Sequence, residues 1–359
     1  MKSVLVGVGQ AGGKVTQALL EHAPSIASDS MLDAVAINTA STDLQSLPME
    51  TVLIGRDRVD GHGVGGDNEL AAEIVRDERV ELLDALDGRI TSKAESVLVV
   101  AGLGGGTGSG GAPALVHELD RVYDIPIYVL GILPGRDEGA LYQANAGRSL
   151  KTVAPEADAT VLVSNDAWRE SGESVTGGFD RINRKIARRI GLLLAAGEPS
   201  HGDAQQVVDT SEVVNTLRAG QLSAIGYADA VAAEDAAENV RTITAATRNA
   251  LHTGTSLPGA TVAESALLIV AGDPDVVSRK GVERSRKWLE EELGSMQVRG
   301  GDLPLDTDRI AVLTLLGGVE RSDRIEELMD RAREASVDAD RTREDPAEAL
   351  RSDDLDGLP

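Results

Sequence analysis

The chain has no cysteine, a single phenylalanine, and too few lysines and arginines to balance its acids. Without cysteine there are no disulfides and no thiolate chemistry. With 35 basic against 59 acidic residues the net charge is −24, and a surface of that sign repels nucleic acid and anionic membranes. The acids are spread over the whole length rather than gathered in one tail, and arginine greatly outnumbers lysine. This balance is expected of a protein from a salt-loving organism. At about 1 M salt the Debye length is about 3 Å, so repulsion between like-charged copies is nearly screened. No apolar run is long enough to span a membrane, and no basic-then-apolar leader precedes the first strand pattern. Direct membrane insertion is therefore not expected, and a cytoplasmic location is. The five histidines are scattered without an HxxxH-type pair, so no transition-metal site built by the protein is expected.

What is present begins with hydrophobic residues at 42% of 359 positions, enough for two domains with real cores. The stretch that organises the chain is Ala101–Gly111 (AGLGGGTGSGG). It follows Ser96–Val100 (SVLVV), a buried-strand pattern, and precedes Ala112–Tyr123, whose apolar residues recur at helical spacing. Glycine lets the backbone approach a ligand closely. The following helix start offers unpaired N–H groups and the positive end of its dipole. Together these make a cradle for phosphate oxygens, to which Thr107 and Ser109 add hydroxyls. The plainer reading is a flexible loop, but such loops are seldom wedged between a buried strand and an amphipathic helix. No Gly-Lys-Ser/Thr follows, so this is not a Walker A loop.

A second glycine loop, Gly7–Gly13 (GVGQAGG), joins a strand at Lys2–Val8 to a helix from about Lys14 to His22. Gly7, Gly9 and Gly12 spell G-x-G-x-x-G, a weak signal shared with dinucleotide-binding folds. The second strand, Leu32–Ile37, ends in Asn38-Thr39 without the acid that would hold a nicotinamide ribose. Further strands are expected at Thr51–Ile54, Pro126–Leu133 and Thr160–Ser164. A third glycine loop, Gly61–Asn68, precedes a helix of about Glu69–Leu86. Gly178–Ala196 is an amphipathic helix with Phe179, Ile182, Ile186, Ile190, Leu193 and Leu194 on one face. Asp209 and Glu212 lie three apart at a helix start, where acids are common without any catalytic duty. Beyond them come helices at Asp235–Thr253 and Pro274–Leu293 and strands at Ala266–Ala271 and Arg309–Leu316. From about Asp338 to Pro359 the chain is polar and acidic, as a flexible tail would be.

GGGTGSG at Gly104–Gly110 resembles the signature of the tubulin/FtsZ superfamily of GTPases. Other loops follow in the order that resemblance requires, over about residues 1–335. The strings DxxEVxNTL at Asp209–Leu217, Ile225-Gly226-Tyr227 and GESVTGGF at Gly172–Phe179 look most like the archaeal CetZ branch. The resemblance implies an α/β fold with a Rossmann-type GTP-binding domain over 1–203. That domain would hold a parallel sheet and a long core helix at 178–196. An α+β GTPase-activation domain would occupy 204–337 and an acidic flexible tail 338–359.

The resemblance further implies GTP or GDP as ligand, with Mg²⁺ held mainly through the phosphates. The implied nucleotide-binding residues are Gly9, Gln10, Ala11, Gly12, Gly13, Lys14, Asn38, Gly104, Gly105, Gly106, Thr107 and Gly108. Glu138 would hold the ribose, Asn165 and Asn183 would read guanine, and Phe179 would stack on it. Taken without the resemblance, Glu138 is a surface acid and Phe179 a core residue. Asp209 and Glu212 would act on the nucleotide of a neighbouring subunit, so hydrolysis would need head-to-tail assembly with another copy. The loop holding His62 and Asp67 would sense the γ-phosphate. Three positions depart from the FtsZ pattern: Ala40 stands for an Asp, Tyr142 for an Arg and Val207 for an Asn. Arg136 is the candidate to replace the missing arginine. The function implied is a filament-forming GTPase in cell shape or motility. Two other functions stay open: a non-polymerising GTP-bound regulator of other tubulin-superfamily filaments, and a dinucleotide-dependent enzyme using GVGQAG.

Overall fold

Six aliphatic, β-branched runs in the first half form parallel strands: β1 (Ser3–Val8), β2 (Met31–Asn38), β3 (Glu50–Leu53), β4 (Ser96–Gly102), β5 (Ile127–Leu133) and β6 (Ala159–Ser164). β1, β5 and β6 are buried at every residue, as strands covered on both faces must be. The computed structural model describes residues 1–26, 28–169, 175–196, 208–320 and 322–344, without the side chains of 175–176 and 338–344. The parallel strands lie in the order β3-β2-β1-β4-β5-β6. The chain winds outward from β1 in one direction, then restarts at β4 and winds in the other. At such a switch point the loops diverge and leave a crevice at the C-terminal strand ends.

The sheet does not stop at β6. β7 (Leu222–Val231) continues it in parallel, then β10 (Arg309–Val319) pairs antiparallel with both β7 and β8 (Ala263–Gly272). β9 (Gln297–Pro304) closes the edge in parallel with β8, giving one ten-stranded mixed sheet. β7 and β9 go beyond the sequence expectation. Both are rich in glycine, alanine or charge, and they become strands through the neighbours they pair with.

The helices are α1 (Gly9–His22), the single turns α2 (Ser41–Leu44) and α3 (Arg56–Val59), α4 (Asn68–Asp77), α5 (Arg79–Asp87) and α6 (Ala112–Asp120). They continue with α7 (Ala140–Glu156), α8 (Val175–Ala196), α9 (Thr210–Leu217), α10 (Asn239–His252), α11 (Arg279–Leu293) and α12 (Asp323–Glu344). One core lies between the sheet and α1, α8 and α9, built around Leu19, Ile186, Ile190 and Leu217. The other lies on the opposite face under α4–α7 and α10–α12, around Ile74, Leu115, Leu150, Ile243, Leu289 and Leu328.

Several expected boundaries shift. α1 starts at Gly9, not Lys14, so the glycine loop is itself the first turn. The helix expected over Glu69–Leu86 is two, broken at Glu78, whose carboxylate accepts from the Gly55 N–H at 2.8 Å. α12 runs to Glu344, past the Asp338 start of the expected tail. The expected boundary at 203/204, Val207 and residues 345–359 lie outside the described residues, as do residues 172–174 of GESVTGGF.

α8 sets the distance that matters for function. Its start lies at the C-terminal ends of the strands, and its 22 residues run about 33 Å at about 1.5 Å per residue. Near its other end, the Leu194 carbonyl accepts from the Met1 ammonium at 2.6 Å, beside the N-terminal end of β1. The chain is thus carried from one end of the sheet to the other.

Candidate functional site

A cleft of about 680 Å³ opens where β1, β2, β4, β5 and β6 end. Gly9, Gln10, Ala11, Lys14, Asn38, Gly104, Gly105, Gly106, Thr107, Gly108, Glu138, Asn165, Phe179 and Asn183 all line it. Gly12 and Gly13 do not. A side chain at Gly12 would run into the Val100 carbonyl, and one at Gly13 would come 2.8 Å from Leu47 Cδ1. These two glycines let α1 lie close to the sheet and its neighbours.

The two glycine segments interlock. Gly9 has φ +74°, and a Cβ there would lie 2.9 Å from the Gly108 nitrogen. A Cβ at Gly108 would meet the Gly102 carbonyl oxygen at 2.5 Å. Gly105 is different: nothing lies within 4 Å of its Cβ position, yet the residue lines the cleft. Packing within the protein does not require glycine there. After Gly106 the backbone makes a π-helical turn, Thr107–Gly111, that runs into α6. Neither this turn nor α1 has a side-chain cap or a first-turn acid, so their leading N–H groups have no carboxylate competing for them.

Side chains fix this backbone from behind. The Thr39 and Thr107 hydroxyls are 2.7 Å apart. Asp43 accepts from Asn38 Nδ2 at 3.1 Å and Gln10 Nε2 at 3.2 Å, orienting both amides. The Asn145 amide donates to the Gly66 carbonyl at 2.8 Å and the Gly104 carbonyl at 3.3 Å. Ser109, expected as a ligand donor, turns inward instead. It donates to the Gly106 carbonyl at 3.2 Å and also to Gly105. Among the described residues, Lys14 is the only lysine or arginine lining the cleft, and its ammonium lies 3.1 Å from Ser46 Oγ.

Glu138 sits in the loop after β5. Its Oε1 accepts from the Gly135 N–H at 2.8 Å and from Asn165 Nδ2 at 2.9 Å. Arg136 does not turn into the cleft. Its guanidinium forms a two-point pair with Glu327 of α12, both contacts at 2.9 Å, which raises its pKa further. It therefore does not replace the missing arginine. Asp67 is the N-cap of α4, accepting from the Leu70 N–H at 2.9 Å, while His62 lines the cleft mouth.

Behind the Asn165 turn, the Arg189 guanidinium of α8 lies 4.2 Å over the Trp168 ring and 5.2 Å from the Tyr227 ring of β7. It donates to the Lys185 carbonyl at 2.9 Å and the Gly254 carbonyl at 3.2 Å. Burial pushes its pKa down to about 10, so it stays charged at neutral pH.

Asp209 and Glu212 line no part of the cleft. They form a capping box on α9: Asp209 Oδ1 accepts from the Glu212 N–H at 2.9 Å, and Glu212 Oε2 from the Asp209 N–H at 3.4 Å. α9 ends against β10, where Thr216 abuts Gly317, which pairs with Ser223 near the start of β7. The N-terminal strand ends lie there, opposite the cleft. Asp209 is exposed and Glu212 half-buried, so neither is enclosed in its own fold. Their environments differ. The Ser211 hydroxyl, followed by the Glu212 N–H, holds the Asp209 carboxyl below its ordinary value, whereas burial raises that of Glu212.

Asp43, Asn145 and Gln143 escaped the sequence reading. Asn145 and Gln143 reach backbone that is remote or loop-bound, and no local spacing signals such a partner. Asp43, five residues after Asn38, had a local signal in that pair of polar side chains.

Residues 2–173 match the Tubulin/FtsZ family, GTPase domain, and residues 172–334 match Tubulin-like CetZ, C-terminal domain. The chain is 62% identical over 359 residues to Tubulin-like protein CetZ2 of Haloferax volcanii, covering 100% of both. It superposes on the GTPγS-bound protofilament of CetZ2 from that organism with a TM-score of 0.90 at 61% identity, covering 95% of this chain and 100% of the other. Against the GDP-bound monomer of CetZ1 from Haloferax volcanii the TM-score is 0.87 at 45% identity, over 94% and 100% of the chains.

Proposed function

Because the chain belongs to the tubulin/FtsZ family, in its CetZ branch, we propose that it binds and hydrolyses GTP while polymerising head to tail. The observation that carries this is the separation of two incomplete halves. Among the described residues lining the cleft, Asp43 is engaged by Gln10 and Asn38 and Glu138 by Gly135 and Asn165, whereas the acidic pair Asp209 and Glu212 sits at the other end of the sheet. Stacking copies along the sheet axis brings one subunit's acids to the next subunit's cleft. Such a contact is heterologous and open, and it builds filaments rather than closed rings.

In this reading the uncapped starts of α1 and the π-turn hold the phosphates, preorganised for the charge that develops on them. Glu138 holds the ribose. Asn165 and Asn183 read the base edge, and Phe179 covers its face. Glu212 takes the proton of the attacking water, and Asp209 orients it. Among the described residues no group of three or more His, Asp or Glu could hold a metal. The threonine hydroxyls and amides around the cradle suit Mg²⁺ that arrives on the phosphates. When bound it would neutralise charge between them.

No helix among the described residues is long and apolar enough to cross a membrane. We place the protein in the salt-rich cytoplasm of an archaeon, where it acts in cell shape or motility. Its partners are copies of itself and other tubulin-superfamily proteins.

The test is GTPase rate per subunit against protein concentration in about 2–3 M KCl, chosen so that salt screens the acidic surface. The rate per subunit rises with concentration if the site is shared. A dilute monomer hydrolysing at full speed would overturn the shared site.

A further inference from the structure

We propose that Arg324 of α12 is a positioning residue for ribose recognition, setting the Glu138 loop from the far end of the sequence. The proposal rests on the reading that Glu138 meets the ribose. Arg324 is 4% exposed. One of its nitrogens donates to the Pro134 carbonyl at 2.5 Å and to Gln143 Oε1 at 2.7 Å. Another donates to Glu327 Oε2 at 3.1 Å. Gln143 relays the contact: its Nε2 donates to the Gly135 carbonyl at 2.5 Å and to the Glu138 carbonyl at 3.3 Å. Glu327 completes the clamp by pairing with Arg136.

The Pro134, Gly135 and Glu138 carbonyls are thus held from α12, directly or through one side chain, while the Arg136 N–H is held by Asp166 at 3.1 and 3.2 Å. The loop needs such anchoring. It contains Gly135 and ends at Gly139, whose φ is +33°, so its own sequence confers little stiffness. Its other partners come from the turn after β6: Asp166 accepts from the Arg136 N–H, while Asn165 on Glu138 and Arg169 on Asp137 and Glu138 hold side chains, and none of them reaches a carbonyl of the loop. With Oε1 of Glu138 engaged by Gly135 and Asn165, Oε2 is the oxygen available to a sugar hydroxyl, and its position follows the backbone. A displacement of about 1 Å is enough to forfeit such a bond.

The experiment compares GTP with 2′,3′-dideoxy-GTP by calorimetry on the full chain, in wild type, Arg324→Met and Gln143→Met. Wild type prefers GTP by about tenfold, the scale of a hydrogen bond to a charged group. In both variants GTP affinity falls about tenfold and dideoxy-GTP affinity holds, so the preference collapses toward one. A variant that weakens both nucleotides equally, or neither, overturns the proposal and leaves the clamp a purely structural contact. If Arg324→Met does not fold, Gln143→Met carries the test, because it keeps α12 and its pair with Arg136. A wild type indifferent to the ribose hydroxyls removes the Glu138 contact itself and the proposal with it. That failure is recognisable because it appears before any substitution is made.

Discussion

Helices begin differently at the two ends of this sheet. At the cleft, α1 starts at Gly9 and the π-turn leading into α6 follows Gly106, and neither carries a side-chain cap or an acid in its first turn. At the opposite end α9 starts with a complete capping box. An uncapped start leaves N–H groups and a positive dipole end for a ligand, and a capped start satisfies them within the chain. One end is therefore built to receive an anion. The other presents carboxylates whose structural work is already done and whose exposed side faces outward. Between the two ends α8, about 33 Å long, carries the chain along the sheet.

The contrast can be broken most sharply at Glu212. Glu212→Gln keeps an acceptor for the Asp209 N–H, so α9 stays capped while the negative charge is lost. Phosphate release should fall about 10²-fold with nucleotide affinity unchanged. If affinity falls in step, the residue serves its own cleft and the contrast is wrong. Next in size, Gly12→Ala should cost about 1–3 kcal/mol in denaturant titration, because its methyl would meet the Val100 carbonyl. Gly105→Ala should behave oppositely: stability within about 0.5 kcal/mol of wild type, but nucleotide affinity down about tenfold, since only a ligand competes for that space.

The smallest effect belongs to the cap. Asp209→Ala should cost about 1 kcal/mol at neutral pH. The Asp209 carboxyl lies below its ordinary value because Ser211 and the Glu212 N–H bind its ionised form. Its contribution is complete above the unfolded-state pKa and disappears as pH falls through the lower folded value. The stability gap between wild type and Asp209→Ala should therefore close in acid. A gap that stays constant down to pH 2 would mean the cap does not depend on charge.

Both ends were partly legible in the sequence, for the same physical reason: their signals are local. A glycine run between a strand and a helix, and two acids three residues apart, carry their meaning in a few positions. So did the six parallel strands, each a compact apolar run. What could not be read depends on distant partners. Gly12 and Gly9 stand in one loop, yet Gly12 faces β4 and Gly9 faces the cleft. Ser109 has the chemistry of a ligand donor but spends its hydroxyl on its own turn. Arg136 pairs with Glu327, 191 residues on, which no spacing rule reaches. β7 and β9 carry weak strand patterns and depend on the sheet already built beside them.

The sandwich of Arg189 between Trp168 and Tyr227 has a practical consequence. The chain has two tryptophans, and the other, Trp288, lies on α11 beside Arg248 and His252. Replacing Trp288 with phenylalanine would leave one indole, three residues after Asn165 and directly under a fixed cation. Indole emission responds to a charge at that distance. The protein thus carries its own optical gauge of the Asn165 turn, readable without dye or label as a ligand enters the cleft.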